Sequence, residues 1–284
     1  MKADCHIHML LDGFNWKAAI NRHRTAPDMV FIRNTLALYQ KQHYTYLRDG
    51  GDRWGVGAAA RAIAPEYGIT YCTPLAPLCK AGHYGSFIGE TYENFRDYAA
   101  LVQKNRRNGG DFIKIMISGL MDFNRAGVLT EEGLSASEIK ELVHIAHEEG
   151  FAVMAHCNGP RTMEAAARAG VDSIEHGAYA DADALAAMAQ MGTVWVPTLS
   201  TIANLKGKGR FDEQAVAAIF ETAAEAVQQF AAMGGLLAPG SDAGAWAVPH
   251  GASREHAILS ELLGDEADNI LDKGIAVIQD KFHP

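Results

Sequence analysis

Two histidines separated by one residue stand near the start of the chain, in the stretch DCHIH that carries His6 and His8. On a strand, residues i and i+2 face the same side, so both imidazoles can be presented to one metal ion. Twelve histidines in 284 residues make this spacing common by chance, and the pair gains weight only in company. Lys114 lies in DFIKIMIS between apolar neighbours. A lysine in an apolar strand carries a heavy desolvation penalty as an ammonium ion. As a neutral amine it can add to CO2, and the carbamate formed has a negative charge and two oxygens able to bridge two cations. His156 in FAVMAHC and His176 in DSIEHG each end an apolar run, where a single histidine reads equally well as a satisfied core residue. Asp242 in APGSDAG, taken singly, reads as a turn former or a helix cap. Together these groups form an imidazole-rich set that suits zinc over calcium, although manganese, cobalt or iron fit the same donors.

The elements that must position these groups follow from periodicity. Short apolar or β-branched runs at 4–10, 43–49, 69–75, 111–117, 151–157, 171–176, 193–199 and 236–242 read as strands. Segments with helical spacing lie between and after them, at 28–41, 55–66, 91–107, 137–149, 160–169, 181–191, 212–233 and 253–263, and 264–284 reads as one more helix and a tail. Gly150, Gly170 and Gly192 stand where helices should stop, and Ser137 with Glu141 suggests an acidic first turn. Eight strands each followed by a helix is the count of an α/β fold of the (β/α)8 TIM-barrel type, in which groups at the carboxyl ends of the strands converge on one face. His6 and His8 then end the first strand, Lys114 lies in the fourth, and His156, His176 and Asp242 end the fifth, sixth and eighth. No repeat or linker divides the chain, and residues 1–284 are read as one domain.

Composition narrows the class further. Hydrophobic residues make up 48% and charged residues 21%, enough apolar material for a sizeable core. A net charge of −9 provides no global positive field for nucleic acid or an anionic membrane. Four cysteines without a C-x-x-C pair do not make a disulfide scaffold. Asp4, His6 and His8 interrupt any signal-peptide run, and no apolar stretch reaches membrane-spanning length, so a soluble, cytoplasmic protein is expected. The glycines of GGDRWGVG at 50–57 are not followed by Lys and Ser or Thr, so no phosphate loop is supported.

The ordered set His-x-His, Lys, His, His and Asp on strands one, four, five, six and eight resembles the amidohydrolase superfamily of metal-dependent hydrolases. IKIMISG, FAVMAHC, SIEHGAY, VPTL, GSDAG and PHG look most like its imidazolonepropionase-related, prolidase-like branch. The resemblance implies a binuclear centre, commonly zinc. His6, His8 and Asp242 would hold one ion, His156 and His176 the other, and carboxylated Lys114 would bridge them. It implies a metal-bridging hydroxide that attacks an amide C–N bond in an N-acyl amino acid or dipeptide-like small molecule. Asp242 would pass the water proton to the leaving amine. The same centre suits an ester, lactone or phosphotriester, and a mononuclear deaminase or a silent ligand-binding barrel stand as further alternatives.

The chain departs from the family pattern in two places. Only three residues precede Asp4, so the usual small β-sandwich is expected to be absent, with a homo-oligomer as one way to cover that surface. His156 is followed by Cys157, Asn158 and Gly159 rather than by the tyrosine of prolidase-like members, which puts dipeptide specificity in doubt. A glycine-histidine-glycine landmark is altered to Gly82-His83-Tyr84-Gly85, making His83 and Tyr84 the substrate-binding candidates. Basic residues gather in two post-strand loops, Lys17, Arg22, His23 and Arg24 in the first and Lys206, Lys208 and Arg210 in the second. They suggest an anionic substrate, with the second loop, given mobility by Gly207 and Gly209, acting as a lid; solvated loop charges without a role are the alternative.

Overall fold

Alternation of side chains builds the scaffold, as the fourth predicted strand illustrates. Ile113 and Ile115 join the large apolar cluster shared with the surrounding helices, whereas Lys114 and Met116 turn into a central cavity. A computed structural model describes residues 2–283, and among them nine short strands pair, all in parallel. These are β1 (Ala3–Ile7), β2 (Tyr46–Asp49), β3 (Thr70–Cys72), β4 (Leu78–Lys80), β5 (Glu90–Tyr92), β6 (Ile113–Met116), β7 (Val153–Cys157), β8 (Ser173–His176) and β9 (Val194–Val196). One sheet has the order β1-β2-β3, the other β5-β4-β6-β7-β8-β9.

Hydrogen bonds carry the chain across both seams between these sheets. Asp111 N donates to Thr73 O at 3.0 Å, joining the end of β3 to the approach of β6. On the far side the segment 236–243 runs between β9 and β1. Ala238 N donates to Trp195 O at 3.0 Å, Cys5 N to Pro239 O at 2.8 Å, and Asp242 N to His6 O at 2.7 Å. The fold is therefore α/β and TIM-barrel-like, with its ladder interrupted at two seams. The expected strand at 236–242 survives only as isolated bridges at Leu237 and Ala243. Pro239 has no N–H to give to a ladder, and Gly240 is pressed so close to β1 that a Cβ there would lie 2.8 Å from His6 Cβ.

Other expectations shift by a few residues. Two strands, β4 and β5, occupy 78–92, where only the start of a helix was expected; that helix begins at Phe95, capped by Asn94. A capping box of Ser135 and Glu138 starts the helix Ala136–Glu148, displacing the expected start at Ser137. Gly192 ends Ala182–Met191 at φ 67°, the left-handed geometry that favours glycine. The helix Ala267–Lys281 contributes Ile275 and Ile278, and these pack with Phe282, Cys5, Tyr46 and Met154 as an apolar layer beneath the cavity. No helix among the described residues is long and apolar enough to cross a membrane.

Candidate metal centre

His6 and His8 project from the end of β1, and Asp242 reaches them because Asp242 N is bonded to His6 O. His6 Nε2 and His8 Nε2 are 3.3 Å apart, and Asp242 Oδ1 lies 3.6 Å from the first and 3.3 Å from the second. Ligand atoms held at about 2.1 Å around a tetrahedral ion stand about 3.4 Å from one another, so the three donors already have the spacing of one face of such a shell. Asp242 Oδ1 is buried with no hydrogen-bond partner, as expected of an atom kept for a ligand. Burial alone would push its carboxyl up, but His8, His6 and Lys114 hold it below the usual carboxylate range. Gly50 allows the His8 ring its place: a Cβ there would lie 2.3 Å from His8 Cε1. These residues fit a metal ion.

A buried carboxylate unforeseen in the sequence fixes the tautomer of His6. Glu175 Oε2 lies 2.7 Å from His6 Nδ1, and both side chains are fully buried. The proton therefore sits on Nδ1, and the Nε2 lone pair faces His8 and Asp242. Glu175 is itself held by Arg48 Nη2 at 2.8 Å and Ser173 Oγ at 2.6 Å, while Arg48 Nε donates to Cys5 O at 2.7 Å. Burial opposes ionisation of Glu175; the Arg48 guanidinium and His6 overcome it and keep the carboxyl ionised. The signal was present as an arginine in YLRD and a glutamate in SIEH, opposite charges in two apolar strands.

His156 and His176 lie beside this group, with ring centroids 4.6 Å apart, and His176 is 5.0 Å from the His6 ring. His156 Nε2 is 3.2 Å from Gly119 O, to which it donates, leaving Nδ1 as its lone-pair nitrogen. His176 Nδ1 pairs with Thr198 Oγ1 at 2.7 Å, leaving Nε2. Burial and then the nearby Lys114 charge lower His156 to about 3 and His6 to about 4, and burial also takes His176 well below its ordinary value. The imidazoles are thus neutral, the state that binds metal. Lys114 Nζ is buried without a partner, and burial brings its ammonium down to about 8. Backbone strain gathers here: His176, Thr198 and Asp242 have φ of 67°, 51° and 56°, a left-handed geometry costing non-glycine residues about 1–3 kcal/mol each.

All six expected ligands line one cavity of about 780 Å³. Tyr84 lines it too, its ring 4.8 Å from that of His156. His83 stands outside this wall, its Nδ1 3.4 Å from Glu131 Oε1. Of the two basic loops, only Arg210 lines the cavity. Arg22 is drawn to Asp12 at 3.1 Å, and His23 is buried. Lys206 and Lys208 line a separate cavity with Arg254.

This arrangement, a TIM-barrel-like scaffold with histidines and an aspartate gathered at its strand ends, is that of a metal-dependent hydrolase superfamily. Residues 37–252 match the amidohydrolase family, and the chain belongs to it. An ochratoxinase of Aspergillus niger is 29% identical over 153 residues, which are 50% of this chain and 28% of that protein. An uncharacterized protein of Mycobacterium tuberculosis is 30% identical over 130 residues, 46% of this chain and 34% of its own length. The matched segment thus spans only 28–34% of the length of these relatives. Among solved structures, a Xaa-Pro dipeptidase with bound methionine superposes with a TM-score of 0.77 at 20% identity, covering 98% of this chain and 74% of the other. The A. niger ochratoxinase structure gives a TM-score of 0.77 at 21% identity, covering 97% and 70%.

Proposed function

We propose that this chain is a binuclear metal-dependent hydrolase that cleaves an amide C–N bond in an N-acyl amino acid or dipeptide-like small molecule. The observation that carries this reading is the triangle of His6 Nε2, His8 Nε2 and Asp242 Oδ1, with edges of 3.3–3.6 Å, backed by the Glu175 carboxylate on His6. His6, His8 and Asp242 would hold one divalent ion, most simply zinc, and His156 and His176 would hold a second. The unpartnered amine of Lys114, which burial makes easier to deprotonate, could add to CO2 with loss of a proton, and the carbamate so formed would supply oxygen ligands for both ions. When bound, such ions lower the pKa of a water and polarise a substrate carbonyl.

The chain's own groups do the rest. Asp242 would accept the proton of the attacking water as the C–O bond forms, and would return it to the amine nitrogen as the C–N bond then breaks, leaving a carboxylic acid and a free amine. Glu175 and Arg48 keep His6 in one tautomer throughout. Tyr84 bounds the space beside His156 where the substrate rests. The names of two similar proteins, a Xaa-Pro dipeptidase and an ochratoxinase, point in the same direction. The test is elemental analysis of protein made with zinc and bicarbonate, beside Lys114→Ala, followed by a panel of N-acyl amino acids and dipeptides. About two ions per chain, fewer in the variant, with amide hydrolysis, is the expected result. One ion indifferent to Lys114, or no ion, overturns it.

A further inference from the structure

Above the candidate metal centre the cavity is bounded by two runs of aromatic rings and lined by the guanidinium of Arg210. The first run descends from the mouth: Trp16 meets Phe87 at 5.5 Å, Phe87 meets Tyr84 at 5.8 Å, and Tyr84 meets His156 at 4.8 Å. The second joins Phe123 to Phe211 at 5.2 Å and Phe211 to Trp246 at 6.2 Å. On this second run the Arg210 guanidinium lies 4.3 Å from the Trp246 centroid and 5.2 Å from that of Phe211.

Stacking occupies the face of a guanidinium and leaves its in-plane N–H groups free, the geometry that grips a carboxylate with two parallel hydrogen bonds. Among the described residues Arg210 has no carboxylate partner. Asp122 lines the same cavity, but its carboxylate is held by Arg125 Nε at 2.7 Å and by Asn124 N at 3.0 Å. The loop bearing Arg210 is anchored at both ends. The Glu213 carboxylate accepts from Gly207 N at 2.9 Å and Gly209 N at 3.4 Å, and Asp212 N donates to Asn124 Oδ1 at 3.1 Å. Arg210 is thus held in place before a substrate arrives, unlike a cation on a free loop.

We propose that Arg210 is a specificity-determining residue that binds the carboxylate of the substrate. The substrate's apolar groups then lie along the two aromatic runs on either side of the scissile amide. The substrate class is an N-acyl amino acid with a bulky aromatic group in both the acyl and the amino-acid half. This deepens, and rests on, the amide-hydrolase reading.

The experiment compares N-benzoyl-phenylalanine with its neutral carboxamide as substrates of the metal-loaded protein. The wild type should favour the acid, and Arg210→Met should erase that preference through a rise in KM of about 10–100-fold for the acid, with Arg210→Lys recovering part of it. Lys208→Met, which removes one charge from the same loop at a separate cavity, should keep the preference. A second measurement needs no catalysis: calorimetric binding of N-benzyl-phenylalanine against N-benzyl-phenylalaninol, neither of which has a hydrolysable bond. Arg210-dependent binding of the acid without any hydrolysis would sink the amide reading and keep Arg210 as the carboxylate site. Hydrolysis with an acid preference equal in the wild type and Arg210→Met overturns Arg210, as does failure of both acids to bind.

Discussion

The two halves of the proposed metal centre differ in how complete they are. His6, His8 and Asp242 bring three ligand atoms within 4.8 Å of one another, the only such group of acidic, imidazole or thiol ligands found among the described residues. His156 and His176 stand close by, but their third companion is Lys114, whose buried amine has no partner. The first half is braced by charge, Arg48 to Glu175 to His6. The second is braced by neutral groups, the Gly119 carbonyl and the Thr198 hydroxyl. A charged brace in a dry interior is stronger than a neutral one, so the first group should be ready for an ion, whereas the second would, in the proposed reading, need a carbamate on Lys114.

Breaking the first half should have the largest effect. Asp242→Asn keeps the shape but removes the charge of the proposed ligand and proton acceptor, and kcat should fall by about 10²–10⁴-fold in a steady-state assay. Lys114→Ala should empty the second half selectively, taking elemental analysis from about two ions per chain toward about one; loss of both ions together would show that the halves are not separable. Glu175→Gln frees the His6 tautomer and leaves Arg48 buried without its counter-charge. Metal affinity by chelator competition should weaken about 10–100-fold. Thr198→Val removes only a neutral hydrogen bond from His176, and the second ion should weaken by about fivefold. If Thr198→Val proved as damaging as Glu175→Gln, the distinction between charged and neutral bracing would be lost.

Much of this was legible from residue types. The strand–helix alternation shows the class of fold because burial imposes a period of two or 3.6 on any sequence that forms these elements. Lys114, His156 and His176 stood out because a polar group in an apolar strand needs a reason to be there, and His6, His8 and Asp242 gained weight from their company. Pairing details were hidden. The segment at 236–242 looks like a strand by composition, yet Pro239 and the close approach of Gly240 to His6 leave it only isolated bridges. Glu175 and Arg48 lay in plain view, but one-dimensional spacing cannot say that residues 127 apart share a hydrogen bond. His83 and Tyr84 are neighbours in sequence, and only the tertiary structure turns Tyr84 to the cavity and His83 toward Glu131. Three basic residues in one loop looked equivalent, and the fold singled out Arg210 by stacking it on Trp246. Residue types and periodicity thus set which chemistry was available and on which kind of element. Which atoms meet depended on how distant segments pack, because a side chain's direction is decided by the neighbours that exclude it from every other place.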